Sequence, residues 1–409
     1  MARGSEHRRR FQSAPCGCAR KEGKSPSGVT RTHGVGDRPR GARGGHGGGP
    51  PARLSPGHCP GPLSEGHRAG PLSEAADRTC RTAVGHGASG ASALSYVQHA
   101  RNFHGLPVLT VPPYTPATLL ADAASVAWRL QSGPYPTDED SDVCWERFTG
   151  TVELEKVRAL VLGYGMDGVS RLTDLSSRLT GLEAVFLGDI EDEEEMISSI
   201  EQSDLTPLLE AFPGLRELVV RGGAGLGFPV AGHPGLRALR IESGGLPPQV
   251  AENVAAADLP SLERLELWLG DDWYGGGTTV EQLAPLLAGD RKPALRHLGL
   301  QNSPIQDELA AAVATAAVVP RLTSLSLSMG TLSDQGAEAL LHGQPLTHLA
   351  ELDLSHHFLS EEMMLRIWTA LEPAGVRVNL IGKQERDEEE WEDDDEEDGA
   401  DGRYIAVAE

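Results

Sequence analysis

The amino-acid sequence predicts an α/β solenoid, in which stacked repeats build a parallel β-sheet and helices or irregular segments return the chain. Three observations carry this prediction. An apolar pattern at positions 1, 4 and 6 recurs through most of the chain. Its copies are spaced as one strand plus one return segment would be. Helix start signals fall between the copies.

The clearest copies are Leu295/Leu298/Leu300, Leu322/Leu325/Leu327 and Leu349/Leu352/Leu354. Five precede them: Val157/Leu160/Leu162, Leu182/Val185/Leu187, Leu215/Leu218/Val220, Leu236/Leu239/Ile241 and Leu262/Leu265/Leu267. Val376 opens a weaker ninth. Self-similarity at roughly 20–30 residues marks a leucine-rich-repeat solenoid. Side chains alternate along a strand, so positions 4 and 6 point into the core while 3, 5 and 7 point away from it. The expected shape is a horseshoe, with a parallel concave β-sheet and helices or irregular segments on the convex side.

Residues 1–95 precede the array and are rich in Gly, Pro and Arg, as in Gly47-Gly48-Gly49-Pro50-Pro51. Such a stretch buries too little apolar surface to offset chain entropy and reads as a disordered basic segment. A start-site artefact is the alternative, with Val97 as the start, and the intact mass of the native protein would decide it. Residues 96–156 read as an N-terminal cap. His104–Val111 and Val126–Leu130 look like strands, and Trp128, Trp145 and Phe148 are expected to cover the first repeat. The repeats occupy 157–381, in about eight or nine units. Residues 382–409 form an acidic C-terminal tail, with 13 carboxylates between Glu385 and Asp401. The apolar stretch Tyr404–Ala408 after it is expected to fold back as a short strand on the final repeat.

The return segments carry readable start signals. Thr206 precedes Pro207, a residue favoured at the first helical position. Thr279 with Gln282, and Ser303 with Gln306, have capping-box spacing. Ser333 is expected to cap Asp334–His342, and Ser360 to cap Glu361–Leu371. One unit departs from the pattern. Only 21 residues separate Leu215 from Leu236, and they include Gly222, Gly223, Gly225 and Gly227. An irregular return is expected there, because glycine disfavours helix.

Charge and cysteine bound the function. Residues 1–90 hold 15 Lys+Arg and 6 Asp+Glu, so the strong negative balance lies in the remainder. An acidic folded body repels phosphate, which predicts no nucleic acid and no anionic membrane as partner and favours a basic or mixed protein partner. Cys144 is the one cysteine in the expected folded region, and a lone thiol fits a reducing, cytoplasmic setting. No apolar run reaches the ~18–20 residues of a membrane span. Cofactor, phosphate-loop, zinc-protease and serine-hydrolase fingerprints do not occur, so no catalytic, cofactor or metal residue is assigned. Cys144 beside His99 or His104 could suggest a thiol nucleophile, but a lone Cys in an apolar segment reads as packed. His356-His357 reads as a turn position.

The informative residues face outward. In the middle units, positions 5 and 7 supply Arg221, Arg240, Glu242, Glu266, Trp268 and Gln301, and position 3 supplies Arg264 and His297. They form either cross-strand ion pairs on an exposed sheet or a recognition surface. The strongest local candidate follows: Trp268, Asp271, Asp272, Trp273 and Tyr274, ahead of a Gly run. Two of the six Trp and one of the six Tyr fall within this stretch. Trp and Tyr are enriched at interface hot spots.

The stretches Leu322–Leu327 and Leu332–Leu340 resemble the ribonuclease-inhibitor-type class of leucine-rich-repeat proteins. More narrowly, Leu265–Gly270, Tyr274–Gly276 and Leu295–Asn302 are similar to a bacterial family of such proteins without an established activity. The likeness covers about 96–381 and departs at position 9. Many such repeats carry Asn or Cys there, whereas this chain has Gly165, Ile190, Gly223, Gly244, Gly270, Ser303, Gly330 and His357. The turns must therefore satisfy their backbone groups otherwise. The resemblance implies a horseshoe that binds protein, without a catalytic residue. Two functions follow as expectations. The first is a non-enzymatic interaction module that uses the concave sheet and the 267–277 loop. The alternative is an enzyme, or its accessory subunit, with chemistry outside known motifs.

Overall fold

A computed structural model describes residues 96–111, 121–133, 139–229, 231–387 and 402–409. All belong to one unit, Ala88–Glu409. The basic segment up to residue 95 and residues 388–401 of the acidic run lie outside the described residues.

The strands are β1 (Asn102–Phe103), β2 (Leu106–Thr110), β3 (Ala127–Leu130), β4 (Ala159–Leu162), β5 (Ala184–Leu187) and β6 (Glu217–Arg221). They continue as β7 (Ala238–Glu242), β8 (Arg264–Trp268), β9 (His297–Gln301), β10 (Ser324–Ser326), β11 (Glu351–Asp353) and β12 (Arg377–Asn379). These twelve form one unclosed sheet in chain order. Only β1 and β2 pair antiparallel; the other described neighbours are parallel.

Register follows the apolar pattern. Leu160, Val185, Leu218, Leu239, Leu265, Leu298, Leu325, Leu352 and Val378 align strand to strand. A one-residue slip would turn every leucine to the other face, so the buried face fixes the register. Most of these leucines have no exposed surface, and burying each contributes about 2 kcal/mol. Past the strands the main-chain ladder continues: Gly270 N–H donates to Asn302 O, Asn302 N–H to Ser328 O, and Met329 N–H to Ser355 O. These bonds serve the turns, which have no Asn or Cys at position 9. Asn302, Met329 and His356 occupy the same turn position in successive repeats, all with positive φ.

Eight α-helices lie among the described residues: α1 (Ser141–Thr151), α2 (Gly168–Asp174), α3 (Thr206–Ala211), α4 (Pro248–Ala256), α5 (Ala284–Ala288), α6 (Gln306–Val313), α7 (Asp334–His342) and α8 (Glu361–Leu371). Their buried side chains share one core with strand positions 4 and 6. An α/β, solenoid-like arrangement results. No described helix is long and apolar enough to cross a membrane.

Local signals fare unevenly. Ser333 and Ser360 cap α7 and α8, accepting from Gln335 N–H and Met363 N–H. Thr206 begins α3 instead of capping it, and Asp204 Oδ1 accepts its N–H. Gln282 Oε1 accepts Thr279 N–H at 3.0 Å, one half of the expected box. Gln306 is wholly buried, and its amide turns inward to donate to Leu300 O, which removes it from its own box. Among the described residues no helix connects β6 to β7 in the glycine-rich unit; Leu226 and Phe228 fill the core there.

Residues 96–156 add strands β2 and β3 to the same sheet, together with helix α1, which the short Cys144–Phe148 pattern did not announce. Asp140 caps α1, and Trp145 and Trp128 both pack against Phe148. Cys144 is a buried free thiol facing Gln131 O and Arg147, with its pKa pushed up by burial first of all. His104 is engaged elsewhere, by Glu217 at 2.8 Å.

Candidate interaction surface

The sheet face away from the helices carries positions 3, 5 and 7, and much of it is covered by the chain itself. Phe103 and Leu106, from the β1–β2 hairpin, pack on Ala159, Val161, Ala184, Phe186 and Val219. The stretch before β1 continues the cover. Gln98 O accepts from Arg221 Nη2 at 3.1 Å, Ala100 N–H donates to Asp189 Oδ1 at 2.9 Å, and Ala100 O accepts from Arg129. Val97 joins a small apolar cluster with Ile190, Ile200, Trp268, Met329 and Val407.

This cover changes the position-7 row. Arg221 is 3% exposed, Glu242 2% and Trp268 6%. Arg221 Nε bonds Glu242 at 2.7 Å and its Nη1 donates to Ile190 O at 2.6 Å. The guanidinium also lies 5.3 Å above the Phe186 ring. These residues brace the fold beneath this cover. Desolvated groups need such pairing, which is why the row forms ion pairs.

The network runs on across the strands. Arg240 Nε lies 3.0 Å from Glu242, and Arg240 Nη1 3.9 Å from Glu266. His297 Nε2 is 3.0 Å from Glu266, and its Nδ1 meets the Ser324 hydroxyl. Burial pushes the Glu266 carboxyl up, but the His297 bond and the Arg240 charge outweigh it and hold the pKa below the usual range. Burial lowers Arg240, and Glu242 and Glu266 more than restore it. Arg264 stays largely in solvent, 3.9 Å from Glu266. Gln301 is half-buried and donates to Ser328 Oγ.

The loop after β8 is different. Gly270, with φ of +69°, leads out of the strand, and Asp271 Oδ1 accepts Trp273 N–H at 2.9 Å to start a 3-10 turn over Asp272–Tyr274. Gly275 ends the turn in the left-handed region, where a side chain is disfavoured. Trp273 stands 85% exposed at its tip. Burial raises the Asp271 carboxyl, the Trp273 N–H opposes this, and the neighbouring Asp272 carboxyl raises it further. A cavity of about 450 Å³ opens beside the loop, lined by Leu269, Asp272, Val280, Glu281, Ile305 and Glu308.

Tyr274 turns toward segment 402–409, its hydroxyl donating to Glu409 at 2.7 Å. That segment corrects the expectation of a short strand on the final repeat. It is not a strand, and it crosses several repeats at the turns that follow the strands. His356 Nε2 bonds Tyr404 O, Ala406 N–H donates to Met329 O, and Val407 N–H to Asn302 Oδ1. The left-handed turns present carbonyls and side chains that the segment uses.

The twelve residues singled out from sequence therefore separate into three sets. Arg221, Glu242 and Trp268 are buried under the chain's own segments, while Arg240, Arg264, Glu266, His297 and Gln301 form the partly open network. Asp271, Asp272, Trp273 and Tyr274 share the projecting turn. Sequence reasoning missed Asp189, wholly buried against Arg129, and Asn302, wholly buried against Val407. A polar residue at position 8, just beyond the strand of its copy, was the available signal for both. His356 and His357 are buried with pKa values lowered chiefly by desolvation, and both act as turn braces.

The chain is similar to a Bacteroides fragilis protein whose crystal structure was determined as a structural-genomics target. The two share 31% sequence identity at a TM-score of 0.55, over 59% of this chain and 70% of that one. No protein-family model matches the chain. No curated protein matches it either.

Proposed function

As a member of the same family as that Bacteroides fragilis protein, the chain receives no activity from its relative's name, and we propose that it is a non-enzymatic, cytoplasmic interaction module of the leucine-rich-repeat type. On this reading a protein partner docks on the 269–277 loop and on the uncovered part of the sheet face. One observation carries it: a tryptophan 85% exposed at the tip of a side-chain-capped turn. A large aromatic left in water is costly unless something covers it, and Trp is prominent among binding hot spots. Asp271 and Asp272 beside it, and Glu281 and Glu308 in the adjoining cavity, favour a basic patch on the partner. Nucleic acid and anionic membrane are disfavoured by the same charge. The covered half of the face confines docking to the units from β8 onward, where Arg264, Glu351 and Arg377 are exposed.

A photo-cross-linking amino acid at position 273 tests this in native cells. The reading expects one dominant protein adduct, absent when the same group replaces Glu372, just after α8. Adducts of equal yield at both positions, or none at 273, contradict it.

A further inference from the structure

Segment 402–409 lies in a groove built by the turns after successive strands, and the groove meets it residue by residue. Arg403 donates to Asp307 at 2.7 Å and to Thr331 O at 2.6 Å. The Tyr404 ring packs edge-on against His356 and Phe358, and its hydroxyl reaches Gln384 at 2.8 Å. Ile405 and Val407 are buried, two residues apart as on an extended chain. Asn302 takes both main-chain groups of Val407, accepting its N–H and donating to its carbonyl. Gly244 lies against Ala408, where a Cβ would collide with the Ala408 carbonyl oxygen. Glu409 ends the series on Tyr274.

We propose that this groove is a peptide-recognition site whose present occupant is the chain's own segment, and that its ligand in trans is an extended peptide of a partner protein. The geometry sets the chemistry of that ligand: a basic residue, an aromatic, aliphatic side chains at alternate positions, small residues between them, and an acidic residue last. Main-chain pairing of this kind supplies affinity while alternate side-chain seats supply selectivity. The groove is made by the repeats themselves, through left-handed turns at Asn302, Met329 and His356. The own segment is joined through residues 388–401, which carry eleven carboxylates. Asp387 N–H to Gly402 O closes the base of that connection. A partner peptide with a basic residue ahead of its aromatic meets the Asp307 carboxylate favourably, as Arg403 does. A tethered occupant acts at an effective concentration in the ~mM range, so the internal segment works as a competitor. This site stands apart from the Trp273 reading and shares with it only Tyr274.

The test uses the full chain. Val407→Asp places a charge in the apolar seat and releases the internal segment; Arg403→Glu releases it by repulsion from Asp307. A fluorescent peptide of residues 402–409 serves as the probe, followed by anisotropy, with circular dichroism confirming the fold. Either release variant is expected to bind the probe at least tenfold more tightly than the unaltered chain. Adding Asn302→Asp or Gly244→Val to it should abolish that binding. A folded release variant that ignores the probe, or binding indifferent to Asn302→Asp and Gly244→Val, overturns the proposal. A concentration-dependent dimer of the unaltered chain that Val407→Asp abolishes also overturns it, by placing a second copy in the groove.

Discussion

Replacing Arg221 by Met removes the cation that ties the sheet to its cover. Arg221 is 3% exposed and bonds Glu242, Ile190 O and Gln98 O. Met fills similar volume but leaves Glu242, 2% exposed, with Arg240 as its remaining partner, and leaves two carbonyls without this donor. Stranding one member of a buried pair costs about 3–5 kcal/mol. Arg240 still offsets the Glu242 charge, so the lower end applies, about 3 kcal/mol. Urea unfolding measures the loss, and hydrogen exchange by segment locates it, with residues 96–101 expected to lose protection first. The double variant Arg221→Met, Glu242→Leu removes the stranded charge and should be more stable than the single variant. A single variant within about 1 kcal/mol of the parent would refute the reasoning, since that is the size of an ordinary surface change. So would a double variant less stable than the single, because the cost would then not come from an uncompensated carboxylate.

Lys292 is 1% exposed and donates to Ala255 O and Ala257 O, and burial first, then Arg291, pushes its pKa down to about 8. Below that pH both folded and unfolded states hold the proton and the penalty is complete. Above it the folded state sheds the proton first, so stability should rise by about 3 kcal/mol up to the ordinary lysine value. Lys292→Met should lack that rise in urea titrations run from pH 7 to pH 10.5, and parallel curves would contradict the assignment. Ser360→Ala loses the cap on Met363 N–H and should cost about 1 kcal/mol, read from the unfolding midpoint. Trp273→Ala, at an exposed site, should leave stability within about 0.5 kcal/mol of the parent.

The repeated leucines were legible because their partners are set by a local period: each apolar position 4 lies beside its counterpart one unit away. Ser333 and Ser360 were legible for the same reason, since a cap acts within its own turn. Gln306 misled because its amide had a better use, a core carbonyl, than its capping box. What escaped is long-range. Gln98 meets Arg221 and Val407 meets Asn302 across more than a hundred residues, and no periodicity connects them. Trp268 shows the consequence. Position 7 announced an outward side chain, and outward it points, into a cluster with Val97 and Val407. Trp273, five residues on, belongs to a turn with no described segment above it and stays in solvent.

In the proposed function the loop beyond β8 binds protein through its exposed tryptophan. The most direct measurement is the affinity of the cross-linked partner, once purified, for the unaltered chain and for Trp273→Ala. Loss of a hot-spot side chain costs at least ~2 kcal/mol, or roughly thirtyfold in Kd. A loss of that size with unfolding unchanged is expected. Equal affinities for the two proteins would contradict it.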